Sequence, residues 1–123
     1  SMDFYPTFLE LAGLKPGNKP IDGESLLPLF HRKGDLKRKQ IFFHYPNYAW
    51  HMGNRLAGAV REGDWKLLRN YDDDSLELYN LSKDLSERRN VAKSEAAVAE
   101  RLNRELDKWL KDTNAPMPRP PKQ

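Results

Sequence analysis

Few residues of this chain can do chemistry. It contains no cysteine, which excludes thiol nucleophiles, thiolate metal sites and disulfides together. Its histidines are His31, His44 and His51, and imidazole can donate to an anionic oxygen or move a proton near neutral pH. Cations surround them. Residues 31–70 hold nine Lys and Arg (Arg32, Lys33, Lys37, Arg38, Lys39, Arg55, Arg61, Lys66, Arg69) against three acids, while the flanks are close to neutral. A basic middle suits an anionic partner. Within it, residues 33–39 read as a solvated loop, and His31 as meeting water. Arg61 and Lys66 read as cross-strand ion-pair partners of Glu62, Asp64 and Glu77.

Elements must hold those groups in place. Residues 56–61 and 65–70 read as strands with Val60, Trp65 and Leu67 at apolar positions, joined by a tight turn through Glu62-Gly63-Asp64. Residues 76–80, carrying Leu76 and Leu78, form the next strand after a turn through Asp72-Asp73-Asp74-Ser75. Ile41-Phe42-Phe43-His44-Tyr45 is a short aromatic strand ended by Pro46 and the loop 47–55. Short strands on tight connections predict an antiparallel sheet, not βαβ units. From Ser94 onward Val98, Leu102, Leu106, Trp109 and Leu110 recur at helical spacing with charges between them. That stripe packs on the sheet, and Trp109 belongs to it.

Asp84-Leu85-Ser86-Glu87 has the acceptor and the glutamate of a capping box, which predicts a short helix there. Ahead of the sheet, residues 3–12 predict a helix capped by Asp3, stopped at Gly13, and apolar on more than one side. Residues 26–30 predict one or two helical turns capped by Ser25 or Asp22, and residues 116–121 an extended proline-rich tail. The fold class expected is α+β: a four-stranded antiparallel sheet under a long C-terminal helix, preceded by short helices. The divisions fall at 1–39, 40–115 and 116–123.

At 123 residues, with 38% apolar and 32% charged side chains, the chain suits a single folded unit outside the disordered range. No apolar run approaches the roughly 20 residues of a membrane helix, so no membrane partner is expected. Ser1-Met2-Asp3-Phe4 is not a secretory signal. The basic segment has no nucleic-acid motif beside it, so no nucleic-acid partner is expected either.

The wording of the sequence carries a resemblance along nearly its whole length. Asp3-Phe4-Tyr5-Pro6-Thr7-Phe8-Leu9-Glu10-Leu11-Ala12-Gly13, Asp22-Gly23-Glu24-Ser25-Leu26-Leu27-Pro28-Leu29 and Phe43-His44-Tyr45-Pro46 come first. Gly58-Ala59-Val60-Arg61-Glu62-Gly63-Asp64-Trp65-Lys66-Leu67, Glu77-Leu78-Tyr79-Asn80-Leu81 and Asp84 through Asn90 follow. In this order they resemble the C-terminal subdomain of the type I sulfatases, the arylsulfatase family, and in particular its bacterial polysaccharide-acting members.

The resemblance implies a division of labour. Residues 1–39 would be linker and short helices from the end of a large α/β catalytic domain, and residues 40–115 the C-terminal subdomain. The parent would be a sulfuric ester hydrolase with formylglycine and calcium in the catalytic domain, since neither the "C/S-x-P-S-R" motif nor the family's metal phrases occur here. No cofactor is expected in this chain, and alone it would be inactive. Substrate contacts would fall to His44, Tyr45 and His51: imidazole donates to sulfate oxygens and tyrosine stacks on a sugar ring. The implied partners are the catalytic domain and a sulfated carbohydrate or aryl sulfate, in a periplasmic or secreted parent. Residues 3–12, greasier than this small sheet can cover, would lie against the catalytic domain or self-associate. The alternative is a stand-alone module binding sulfated or anionic polysaccharide through residues 31–70.

Overall fold

Val60, Leu67 and Leu78 lie opposite one another across adjacent strands, and all three are fully buried. They centre the second of two compact units, Gln40–Gln123; the first is Ser1–Lys39. The computed structural model describes residues 2–18, 20–47 and 53–118. In chain order the elements are α1 (Phe4–Leu11), α2 (Leu27–Phe30), β1 (Gln40–Tyr45), β2 (Ala57–Glu62), β3 (Trp65–Asn70), β4 (Leu76–Asn80) and α3 (Ala96–Asp112). The fold is α+β, as expected.

The strands form an antiparallel sheet in the order β1-β2-β3-β4. Glu62 pairs with Trp65, so the β2–β3 loop is only Gly63-Asp64, and Gly63 takes the positive φ of 54° that so tight a reversal requires. Alternation then sorts the side chains by face. Phe42, Val60, Leu67 and Leu78 occupy one face, and α3 covers it with Ala99, Leu102, Leu106 and Leu110. Burying each of these leucines contributes about 2 kcal/mol before entropy is subtracted. Trp109 joins the edge of this core, stacked on Phe42 at 5.1 Å and 4°. Ion pairs from Arg101 to Glu62 (2.6 Å) and from Arg69 to Asp107 (2.5 Å) tie α3 to the sheet.

Local pattern misled at residues 84–87. No helix starts there. The Asp84 carboxylate accepts from the amides of Arg88 and Arg89, while Glu87, at φ 53°, gives both carboxylate oxygens to Lys66 Nζ at 2.7 Å. A capping box needs its glutamate to reach back to the cap, and a lysine 21 positions away has claimed it. The long helix accordingly begins at Ala96, past the expected Ser94.

The first unit is built on polar contacts. Asp3 occupies the N-cap of α1 but makes no side-chain cap bond. Its two carboxylate oxygens pair with the Arg38 guanidinium at 2.5 Å, and one also accepts from the Glu24 amide at 3.0 Å. Glu24 in turn accepts from the amides of Lys37 and Arg38 at 2.7 Å. Buried Thr7 donates to the Asp3 carbonyl and accepts from the Leu26 amide. The loop 33–39 is thus pinned through Arg38, 16% exposed, and is not simply solvated as expected.

Candidate functional site

Strand alternation separates the residues that the sequence put together. His44 leaves β1 on the face that carries α3, while Phe43 and Tyr45 leave it on the other. Gly58 stands directly opposite His44, and a Cβ there would lie 2.3 Å from Tyr71 Oη and 3.1 Å from Leu106 Cδ2. The missing side chain makes the space in which the Tyr71 hydroxyl meets His44 Nδ1 at 2.7 Å. Nε2 lies 2.9 Å from the Pro116 carbonyl. A carbonyl has no hydrogen to give, so Nε2 carries a proton and donates it to Pro116, leaving Nδ1 to the Tyr71 hydroxyl. Burial pushes the Tyr71 phenol above its ordinary pKa, which keeps it a donor. The Trp109 ring meets His44 edge-on at 6.5 Å. This cluster can present one imidazole N–H in a fixed direction, at the point where the chain leaves α3. His51 lies outside the described residues.

Tyr71 escaped the sequence reading because it follows β3 directly and looks like a turn residue. The signal was Gly58, an interior strand glycine in register with a histidine.

On the opposite face, a groove of about 470 Å³ is lined by Phe43, Ala59, Arg61, Lys66, Leu68 and Leu85 among others. The expected cross-strand ion pairs do not form there. Arg61 and Lys66 are each other's direct partners in register. Lys66 is claimed by Glu87, Glu62 by Arg101 and Gln40, and Glu77 by Arg55. Among the described residues, Arg61 has no acidic partner.

A smaller polar groove of about 290 Å³ holds Arg55, Asn70, Asp72, Asp73, Ser75 and Glu77. Tyr79 donates to Glu77 at 2.6 Å. That bond, with burial behind it, raises the Tyr79 phenol to about 12; the same bond lowers the Glu77 carboxyl, against the opposing effect of burial. Among the described residues, no three His, Asp or Glu side chains converge in a way that would hold a metal ion.

Comparison with known proteins shows where such a unit occurs. The family described as N-sulphoglucosamine sulphohydrolase, C-terminal, matches residues 1–115. A sulfatase of Formosa agariphila is 33% identical over 131 residues, spanning 94% of this chain and 24% of the relative. An N-acetylglucosamine-6-O-sulfatase of Bacteroides thetaiotaomicron is 35% identical over 119 residues, spanning 92% of this chain and 20% of the relative. Among solved structures, a protein in complex with its substrate D-glucosamine-2-N,6-O-disulfate aligns with a TM-score of 0.68 at 32% identity. That alignment covers 90% of this chain and 23% of that one. The chain therefore spans about a quarter or less of the length of these relatives.

Proposed function

Because this chain belongs to the family of sulfatase C-terminal domains described as N-sulphoglucosamine sulphohydrolase, C-terminal, we propose that it completes the substrate cleft of a sulfuric ester hydrolase. The observation that carries this is the match over residues 1–115, with relatives about four to five times longer that are themselves sulfatases. In this reading the reacting groups belong to a catalytic domain elsewhere in the polypeptide. Formylglycine and calcium in that domain supply the chemistry of sulfate transfer.

This chain's part is to bind and orient a sulfated carbohydrate or an aryl sulfate. His44 is the first candidate for contact. Its Nε2–H, now donated to the Pro116 carbonyl, is the hydrogen a sulfate oxygen would accept, so binding exchanges a backbone acceptor for an anionic one and gains a charge-assisted bond. His51, seven positions further along the sequence, is the second candidate. Tyr45 leaves β1 on the face opposite His44, so one ligand meets both only by wrapping around the outer edge of β1.

The test is turnover of an aryl sulfate. The 123-residue chain by itself is expected to show none, and the complete polypeptide that carries it is expected to turn over. Turnover by the chain alone, or none by the complete polypeptide after formylglycine formation, overturns the reading. Within the complete enzyme, His44→Ala is expected to raise KM for a sulfated sugar about tenfold, the scale of one charge-assisted hydrogen bond.

A further inference from the structure

An imidazole aims an N–H only when its other nitrogen is held. The ring turns about its bond to Cβ, and when neutral it can carry its proton on either nitrogen, so the partner of one nitrogen decides what the other offers. His44 donates through Nε2 to the Pro116 carbonyl and meets the Tyr71 hydroxyl through Nδ1. We propose that Tyr71 is a positioning residue for substrate binding: its hydroxyl holds His44 Nδ1 so that Nε2–H is the group presented to a sulfate oxygen. This role rests on the function proposed above and adds to it the residue that orients the contact.

A hydroxyl suits the post because it both donates and accepts. It gives its hydrogen to a bare Nδ1 and takes one from a protonated Nδ1. Nε2 therefore keeps its proton and its direction whether the ring is neutral or charged. A carboxylate in the same place, which only accepts, would draw the proton of a neutral ring to Nδ1 and strip it from Nε2.

Tyr71 is built into position from several sides. Its amide donates to the carbonyl of Leu56 at 2.8 Å, and Leu56 is itself buried. Its hydroxyl occupies the space that a Cβ at Gly58 would take, a space that Leu106 Cδ2 also borders. Its ring meets the imidazole edge-on at 5.5 Å and 66°. Among the described residues the hydroxyl has no hydrogen-bond partner besides His44. Burial favours its protonated form, while Arg69 and Asp107, paired with each other at 2.5 Å, pull its ionisation in opposite directions. Packing by itself does not call for a phenol here. Phenylalanine would fill the place of the ring and leave Nδ1 without its partner.

The experiment uses the complete sulfatase polypeptide that carries this chain, with para-nitrophenyl sulfate as the probe. Tyr71→Phe is expected to raise KM about fivefold, the scale of one neutral hydrogen bond, and to leave kcat within about twofold. In the His44→Ala background the same change is expected to add nothing, because the hydroxyl acts only through the imidazole. With the histidine ring nitrogens labelled for NMR, the signals that vanish in His44→Ala identify His44. Tyr71→Phe is expected to shift its Nδ1 signal and to lower the share of rings that carry hydrogen on Nε2. Lys111→Ala, on the exposed side of α3, is expected to change none of these readouts.

If His44→Ala raises KM and Tyr71→Phe does not, the positioning role is overturned and His44 stands as a contact. If neither variant changes KM, the His44 contact is overturned and the positioning role falls with it; the absence of turnover by the unsubstituted polypeptide has the same consequence. A Tyr71→Phe effect that persists in full in the His44→Ala background overturns the role as well, since the tyrosine then acts by packing. Unmoved imidazole signals in Tyr71→Phe also overturn it.

Discussion

In the first unit, Asp3, Thr7, Glu24 and Arg38 form one polar network around a helix whose Phe4, Tyr5, Phe8 and Leu11 stay exposed. In the second, Val60, Leu67, Leu78, Leu102 and Leu106 lose essentially all their accessible surface. Polar bonds are directional, and each exchanges protein partners for water at a net gain of about 1 kcal/mol. Apolar burial is non-directional and adds up with area. The first unit is therefore well specified in geometry but weakly driven, and the second carries the stability.

The sharpest way to break this contrast is to hollow the second core. Leu106→Ala is expected to cost about 3 kcal/mol or more, lowering the unfolding midpoint of residues 40–118 in denaturant. A smaller loss is expected from Gly58→Ala, whose methyl must displace Tyr71 Oη; overpacking of this kind costs about 1–3 kcal/mol, and the Tyr71–His44 bond is expected to break. Loss of that bond is read from the imidazole nitrogen shifts.

The first unit should respond differently. Asp3→Asn removes the charge that Arg38 grips, and is expected to accelerate amide exchange at Thr7 and Leu26 while leaving β2 and β3 unchanged. The same contact gives a pH signature. The bonded Arg38 guanidinium holds the Asp3 carboxyl at about 2, below its ordinary value, so the ionised form is favoured by folding. Its contribution is fully present above about pH 4 and is lost as pH falls through 2. Exchange at Thr7 is expected to rise across that acid window.

Tyr79 reports on the second unit from the alkaline side. Its pKa of about 12 lies above the unfolded value, so its bond to Glu77 stabilises fully below about pH 10 and fades as pH rises through 12. Ultraviolet titration of the phenols is expected to show Tyr79 ionising late, and Glu77→Gln is expected to move that ionisation toward the ordinary range. The smallest effect concerns association. If the apolar side of α1 pairs with another copy in the isolated chain, Phe8→Glu is expected to lower the light-scattering mass at high concentration without changing exchange in β2.

Legibility followed locality. The β2–β3 reversal, the four strands and the apolar stripe of α3 were readable because each is written within a few neighbouring residues. Where a distant side chain intervened, the local rule failed. Glu87 suits a capping box until Lys66 takes it, and Asp3 suits an N-cap until Arg38, 35 positions away, takes both oxygens. His44 was legible as a residue of interest, but its partners Tyr71 and Pro116, 27 and 72 positions along the chain, were not.

By itself, then, the sequence determined the alternation and helical spacing that make an antiparallel sheet under one long helix, along with the wording of a sulfatase C-terminal domain, because periodicity and turn chemistry act over a few residues. Only the tertiary structure decided that His44 and Tyr45 part to opposite faces, that Gly58 opens the space for Tyr71, and that Arg61 has no acidic partner among the described residues on the face away from α3. Those outcomes depend on strand register and on which of several charges wins each partner, and both are settled by packing across the whole sheet.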